Sequence, residues 1–460
     1  MAKQTTKWVC TECGNLQHKW SGNCDSCQKW NTFEEILHIK QEKQKFSSAT
    51  TDSQPVLIKD VSLEGFERLA TSFVEFNRLM GGGIVKGSLN LVGGQPGIGK
   101  STLMLQLCHH FALSNQKVLY VCGEESAEQT SLRAKRLGVE SDKIYLLSQT
   151  QYSQIKYHID LMKPDVVVMD SAQIIYKDDI PSTPGSVVQV KEIALECMHL
   201  AKGKHMTIFL IGHVTKNGDL AGPRVLEHIV DVVLDFEGDS QHGYRMLRST
   251  KNRFGPTDEV VVFQMQETGL SEVINPSLVF LDERRNESSG SAVVATLEGS
   301  RSILIEIQAL VTKSFYPNPV RKSSGIDHNR LSLLLAVCEK KLKYPFYGSD
   351  VFVNVMGGMK VTEPGGDLGV ALALISSYLN EPLDHKLIAI GEVGLSGEIR
   401  SVMKVENRIK EALHLGFETC LIPYKNFSNL PEKFGKKIKL IPVHTLDEAV
   451  ALLFGSTCRR

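Results

Sequence analysis

Eight residues, Gly94-Gln95-Pro96-Gly97-Ile98-Gly99-Lys100-Ser101, fit the spacing Gly-x4-Gly-Lys-Ser. Nothing else in the chain narrows its fold as much, because such a loop works only where a strand feeds it and a helix leaves it. Both flanks comply. Ser88-Leu89-Asn90-Leu91-Val92-Gly93 is a short apolar run bounded by glycine, and Thr102-Leu103-Met104-Leu105-Gln106-Leu107 opens a helical pattern. The glycines let backbone N–H groups converge on phosphate oxygens at a helix N-terminus. The Lys100 ammonium adds a point charge for the β- and γ-phosphates, and the Ser101 hydroxyl is placed to ligand magnesium. The expectation is an α/β chain that binds a nucleoside triphosphate.

At 460 residues the chain exceeds one ordinary core, and usual domain sizes predict about two to four units. Lys+Arg and Asp+Glu are each 52, so any contact with nucleic acid must come from a local patch or a multimeric channel. The start Met-Ala-Lys-Gln-Thr-Thr-Lys has no apolar signal-peptide core, and no later run approaches the roughly 18 apolar residues of a membrane span. A cytoplasmic chain without a membrane partner is expected.

Of the 10 cysteines, Cys10, Cys13, Cys24 and Cys27 form a paired Cys-x-x-Cys arrangement, and the others are scattered singly. Two such knuckles present four thiolates tetrahedrally to one Zn2+. Trp8, Trp20 and Trp30, the only tryptophans, surround these cysteines and are expected to shield a metal site too small to own a core. A redox dithiol pair is the competing reading, but neither pair sits in a thioredoxin-like βαβ pattern. Four protein ligands leave zinc no open position, so the module should dock a partner or nucleic acid rather than catalyse. From Lys40 to Pro55 the chain turns polar and aperiodic, as a linker does.

Beyond the loop, Lys117-Val-Leu-Tyr-Val-Cys122 is a second short strand ending in Gly123-Glu124-Glu125-Ser126. Acids at the carboxyl end of a strand stand beside the phosphate site, where one of them can orient or deprotonate the attacking water. Capping of the next helix, Ala127 to Leu137, is the alternative role for either acid. Pro164-Asp-Val-Val-Val-Met-Asp170 reads as a buried parallel strand closed by a magnesium-directed Asp170. The run from His205 to Gly212 is the next strand, with His213 at its tip as a candidate γ-phosphate sensor. The polar stretches Tyr176 to Ser186 and Lys216 to Arg224 follow successive strands, and Lys216 and Arg224 are candidate DNA-binding cations in a ring. Lys251-Asn252-Arg253-Phe254-Gly255 places two cations in a turn after the β-like run Gly243 to Thr250. They suit insertion into a neighbouring subunit's site, where they would stabilise the transferring phosphoryl group.

Taken together, the paired cysteines with Trp20-Ser-Gly-Asn-Cys24 and Trp30-Asn31, the loop from Gly93 to Thr102 and Lys251-Asn252-Arg253-Phe254-Gly255 resemble the bacterial RadA/Sms family of DNA repair proteins over essentially the whole chain. The resemblance implies an α/β fold: a RecA-like P-loop ATPase core similar to DnaB-type helicases, a small N-terminal zinc module and a C-terminal Lon-protease-like domain. It implies ATP, Mg2+ and Zn2+ as cofactors, with the nucleotide held by Gly94, Gln95, Pro96, Gly97, Ile98, Gly99, Lys100, Ser101 and Thr102. It implies a homo-hexameric ring that acts on single-stranded and branched DNA, driving branch migration by helicase-like translocation, with a RecA-type recombinase and a replicative helicase as partners. Alignment with the hexameric helicase pattern puts Glu124 in the catalytic carboxylate position. Two departures, Gln95 where the family commonly has Asp and Ala172-Gln173-Ile174 where Ile-Gln-Thr-like residues follow Asp170, spare the phosphate and magnesium residues.

After Asn275-Pro276-Ser277 the alternation of strands and helices begins again, including Ser302 to Gln308, Asn329 to Leu342 and Asp367 to Leu379. The stretch Gly391 to Ile399 carries the likeness to Lon. A serine nucleophile and an activating lysine would be needed for peptidase chemistry. Asp367 stands at the serine position and Glu406 at the lysine position, while Lys404 has no serine to activate. The domain reads as a scaffold for ring assembly. These readings divide the chain into a zinc finger 1–30, a linker 31–57, an ATPase domain 58–275 and a Lon-like domain 276–460. A RecA-fold signalling ATPase that switches protein partners is the alternative function, and a non-hydrolysing adaptor a third.

Overall fold

The computed structural model describes residues 4–12, 15–17, 19–39, 57, 67–212, 223–238, 243–257, 259–282, 284, 288–315, 318–431 and 434–455. The chain divides into two compact units, Met1–Glu237 with Arg245–Thr257 and Phe263–Glu272, and Val273–Arg460 with Gly238–Tyr244 and Asp258–Val262. Among the described residues no helix is long and apolar enough to cross a membrane.

The first strands form a small antiparallel sheet in the order Leu16–Gln17, Gln4–Cys10, Phe33–Ile39. Cys10 pairs with Phe33 and Trp8 with Glu35, so the cysteine-bearing turns hang from this antiparallel ladder. Only Val9, Cys10, Cys24 and Phe33 are buried apolar residues among those described here. So thin a core needs a metal staple. The ladder continues to Ile39, so the module extends beyond residue 30, into the stretch read from sequence as linker.

The phosphate loop belongs to a sheet ordered Gly269–Glu272, Val260–Gln266, Tyr244–Asn252, Val232–Glu237, Leu89–Gly94, Thr207–Ile211, Val166–Asp170, Val118–Cys122, Ile144–Leu147. The strands from Val232–Glu237 to Ile144–Leu147 run parallel. Leu89–Gly94, Val118–Cys122 and Thr207–Ile211 are buried at every position, as strands covered by helices on both faces must be. One face packs Leu89, Leu91, Val167, Met169, Ile208 and Leu210 against Ile193, Ala194 and Cys197 of the helix Val187–Lys204. Thr207–Ile211 separates the loop strand from Val166–Asp170, leaving a cleft at the carboxyl ends of the strands where ligands of such sheets bind.

The second unit has a sheet ordered Arg321–Ser324, Ser349–Val355, Arg301–Lys313, Ser291–Glu298, Leu387–Ala389, Thr419–Pro423, Lys439–Val443. The helix Asp367–Leu379 is buried from Asp367 through Ser376. The expected helix from Asn329 begins at His328, where the Asp327 carboxylate accepts from the Arg330 N–H, and ends as α-helix at Val337. A π turn, Cys338–Leu342, follows before Lys343 adopts a φ of 62° and Pro345 blocks continuation.

Candidate ATP, magnesium and zinc sites

The loop strand ends at Gly94, and the helix Lys100–Leu113 begins with Gly99 as its cap at a φ of 116°. A side chain at Gly99 would be strained there, and its Cβ would sit 2.9 Å from Met265 Cε. Buried Arg245 donates from Nε to the Ile98 carbonyl at 3.2 Å, fixing the loop from behind. Lys100 is 4% exposed and donates from Nζ to the carbonyls of Gly94 at 2.8 Å and Gln95 at 2.9 Å. Burial pulls its ammonium down to about 8 against the opposing pull of Asp170 and Glu124. Ser101 and Thr102 follow on the first turn, both half-buried.

Asp170 ends its strand, and the N–H groups of Gly123 and Glu124 donate to its carbonyl at 2.7 and 3.3 Å. The acid-bearing turn is thus stitched to the strand beside it. The Tyr120 hydroxyl donates to Asp170 Oδ2 at 2.6 Å, and the Ser171 hydroxyl to Glu124 Oε1 at 2.5 Å. Glu125 is ion-paired with Arg133 on the following helix. Ser126 and Gln129 form the capping box of that helix, so neither acid is its cap. Lys100 lies within electrostatic reach of both Asp170 and Glu124, and Glu125 is turned toward the helix. Tyr120 and Ser171 had no signal in the sequence beyond their place next to these acids.

Lys251 and Arg253 stand elsewhere. The strand Tyr244–Asn252 includes Lys251, which pairs with Val233, so Lys251 belongs to the ladder rather than to the expected turn. Its ammonium donates to the carbonyls of Glu227 and Val230 at the end of the helix Pro223–Ile229, where a cation offsets the helix dipole. Burial and neighbouring Arg253 hold that ammonium below its ordinary range. Arg253 Nη1 meets Asp231 Oδ1 at 3.1 Å with the Arg253 side chain 47% exposed. Asp231 Oδ2 also accepts from the Leu89 N–H at 3.1 Å, so this corner lies at the start of the loop strand. Leu89–Gly94 has 6 residues and spans roughly 17 Å, which separates these cations from their own phosphate loop. Gly255 closes the turn, where a Cβ would come within 2.9 Å of Gly81 Cα. His213 and Lys216 lie outside the described residues, as does the side chain of Arg224 on the helix Pro223–Ile229.

In the ribbon, the sulfurs of Cys10, Cys24 and Cys27 lie within 4.8 Å of one another, with Cys10 and Cys27 at 3.6 Å. Thiolates around a tetrahedral metal at about 2.3 Å lie roughly 3.8 Å apart, so the donor set fits Zn2+. Cys13 lies outside the described residues. Thr32 Oγ1 is 3.1 Å from Cys10 Sγ and Asn15 Nδ2 points at Cys24 Sγ at 3.8 Å, polar contacts that suit bound thiolates. Trp8 packs against the cluster. Trp20 and Trp30 are 54% and 71% exposed, so they do not shield it as expected. Chelation should remove roughly 10–16 kcal/mol of folding free energy from such a module. A red shift in tryptophan emission, arising from Trp8, is the expected readout, and unchanged emission after complete zinc removal would count against a structural metal.

In the second unit Asp367 is buried, and Arg330 meets it through Nε to Oδ1 at 2.9 Å and through Nη2 to Oδ2. The Val393 N–H adds a third donor at 3.2 Å. Burial raises the Asp367 carboxyl and the Arg330 fork opposes it. Glu406 lies near Lys410 at 3.8 Å, and Lys404 donates to the Gly299 carbonyl at 3.3 Å. Arg408 is fully buried and forks onto Glu363 at 2.7 Å on both arms.

Three family models match the chain: an AAA domain over residues 54–219, a rubredoxin metal binding domain over 8–35 and subunit ChlI of Mg-chelatase over 335–426. The DNA repair protein RadA of Chlamydia trachomatis is 50% identical over 452 residues, covering 98% of this chain and 99% of its own. The chain belongs to the RadA family of DNA repair proteins. The RadA proteins of Halalkalibacterium halodurans and Bacillus subtilis are each 46% identical over 458 and 459 residues, covering 99% of this chain and all of their own. As in the family, the fold joins a RecA-like P-loop ATPase core, a zinc ribbon and a Lon-like C-terminal domain, and its cofactors are ATP, Mg2+ and Zn2+.

The depressed Lys100 ammonium has a measurable consequence. A bound triphosphate restores its proton affinity, so binding near pH 8 should take up a fraction of a proton. The sign follows from the free state binding fewer protons than the complex. Titration calorimetry in two buffers of different ionisation enthalpy should show uptake at pH 8 that fades toward pH 7. Equal apparent enthalpies at pH 8 would mean that Lys100 is fully charged beforehand.

Proposed function

We propose that this RadA protein is a DNA-dependent ATPase that translocates on single-stranded DNA as a homo-hexameric ring and drives branch migration of recombination intermediates. The observation that carries the reading is the placement of Arg253 and Lys251 roughly a strand's length from their own phosphate loop. Such cations serve a phosphoryl transfer only in a neighbour's site, which requires an assembly. Arg253 is the exposed one and is the cation that reaches across; Lys251 would first have to leave the Glu227 and Val230 carbonyls.

Within each site Lys100 holds the β- and γ-phosphates, Ser101 and Asp170 serve magnesium, and Glu124 orients the attacking water. The residues Gly94 through Thr102 wrap the triphosphate. The Lon-like domain is a non-proteolytic scaffold: an aspartate forked by Arg330 stands where a nucleophile would be needed. Lys216 and Arg224 are the candidate DNA contacts in the channel, and a RecA-type recombinase and a replicative helicase are the proposed partners in the cytoplasm.

Steady-state ATP hydrolysis by the full chain, with and without single-stranded DNA at several salt concentrations, tests the reading. Stimulation that fades with salt is expected, because phosphate contacts weaken steeply as counterions compete. Hydrolysis indifferent to DNA would put the signalling ATPase in its place.

A further inference from the structure

We propose that two buried hydroxyls divide the labour of the two site carboxylates, Tyr120 fixing Asp170 for magnesium and Ser171 fixing Glu124 for the attacking water; the assignment rests on the ATPase reading above. Tyr120 is 1% exposed and Ser171 fully buried, so neither hydroxyl exchanges its partner for solvent. The register sets Cys122 opposite Asp170 and Tyr120 opposite Val168, so the phenol reaches along its own strand to Oδ2 of the aspartate. Ser171, next in chain after Asp170, turns instead to Oε1 of Glu124. Each hydroxyl has one proton to give and gives it to a different acid. Each donor also comes from the strand that carries the other acid: Tyr120 lies on the strand leading to Glu124, and Ser171 follows the strand of Asp170. The two acids are therefore cross-braced.

The phenol is suited to this. Its buried hydroxyl has a single proton to donate and gives it to Asp170 Oδ2. A carboxylate held by one oxygen presents a fixed rotamer to its ligand, as partners of metal-binding acids commonly ensure. Tyr120 and Ser171 are positioning residues, since each acts through the carboxylate to which it donates.

Affinity for a non-hydrolysable fluorescent ATP analogue, measured with EDTA and with Mg2+, reports the metal contribution without turnover. In Tyr120→Phe the affinity in EDTA should hold while the Mg2+-dependent gain falls about tenfold. In Ser171→Ala the gain should hold while kcat falls about tenfold, with Ser171→Thr restoring it. A Tyr120→Phe variant that keeps the full Mg2+ gain, or variants that lower both readouts alike, would overturn the division. Absence of nucleotide binding by the unaltered chain would instead remove the ATPase reading itself.

Discussion

Replacing Lys100 by alanine is expected to lower DNA-stimulated ATP hydrolysis by about 10²–10³-fold or more, the cost of removing one charge-stabilising donor from a phosphoryl-transfer site. The ammonium sits at the point where the strand Leu89–Gly94 becomes the helix Lys100–Leu113. It is buried and donates to the Gly94 and Gln95 carbonyls. The variant should fold, because alanine favours the helix start as well as lysine does and relieves a buried charge. Steady-state hydrolysis alongside thermal melting separates the two effects, and full activity in a folded variant would remove the site assignment altogether.

Arg253→Ala should produce an equally large loss by another route. A cation supplied in trans is worth about 10³–10⁵ in kcat, while nucleotide affinity, set by the loop, should change little. Asp231 keeps its Leu89 N–H donor when the arginine is gone, so the corner should survive. Mixing Lys100→Ala with Arg253→Ala subunits makes the assignment decisive. Some interfaces then pair an intact loop with an intact arginine, and hydrolysis should reappear. No recovery at any mixing ratio would place Arg253 in a role within one subunit.

The parallel core was legible because its strands are covered on both faces and must be apolar throughout: Leu89–Gly94 and Val166–Asp170 announce themselves, and the acid that ends the second falls where the cleft opens. Glu124 and Glu125 were not separable by their own chemistry and spacing, and only the likeness to the hexameric helicase pattern favoured Glu124. Adjacent residues at a strand end diverge by their partners, and Arg133 on the next helix decides which acid turns away. Lys251 read as a turn residue because cations and glycine crowd that stretch, yet its carbonyl partners lie 21 and 24 residues earlier, beyond any local window. The extension of the ribbon to Ile39 was hidden for a similar reason, since that strand gains its order from pairing with Gln4–Cys10 rather than from its own periodicity. The sequence shows an aspartate, Asp367, where the likeness to Lon would call for a serine. Its partner Arg330, 37 residues earlier, was not legible there.

Asp231 holds the Leu89 N–H with one oxygen and the Arg253 guanidinium with the other. It is almost fully buried, so both contacts are made by one carboxylate packed at the base of the strand. If the proposed ring forms, tension on Arg253 from a neighbour's phosphate would reach the root of the strand that carries this subunit's own loop. One carboxylate would then be a mechanical joint between consecutive firing events, and hydrolysis around such a ring should be sigmoidal in ATP rather than hyperbolic.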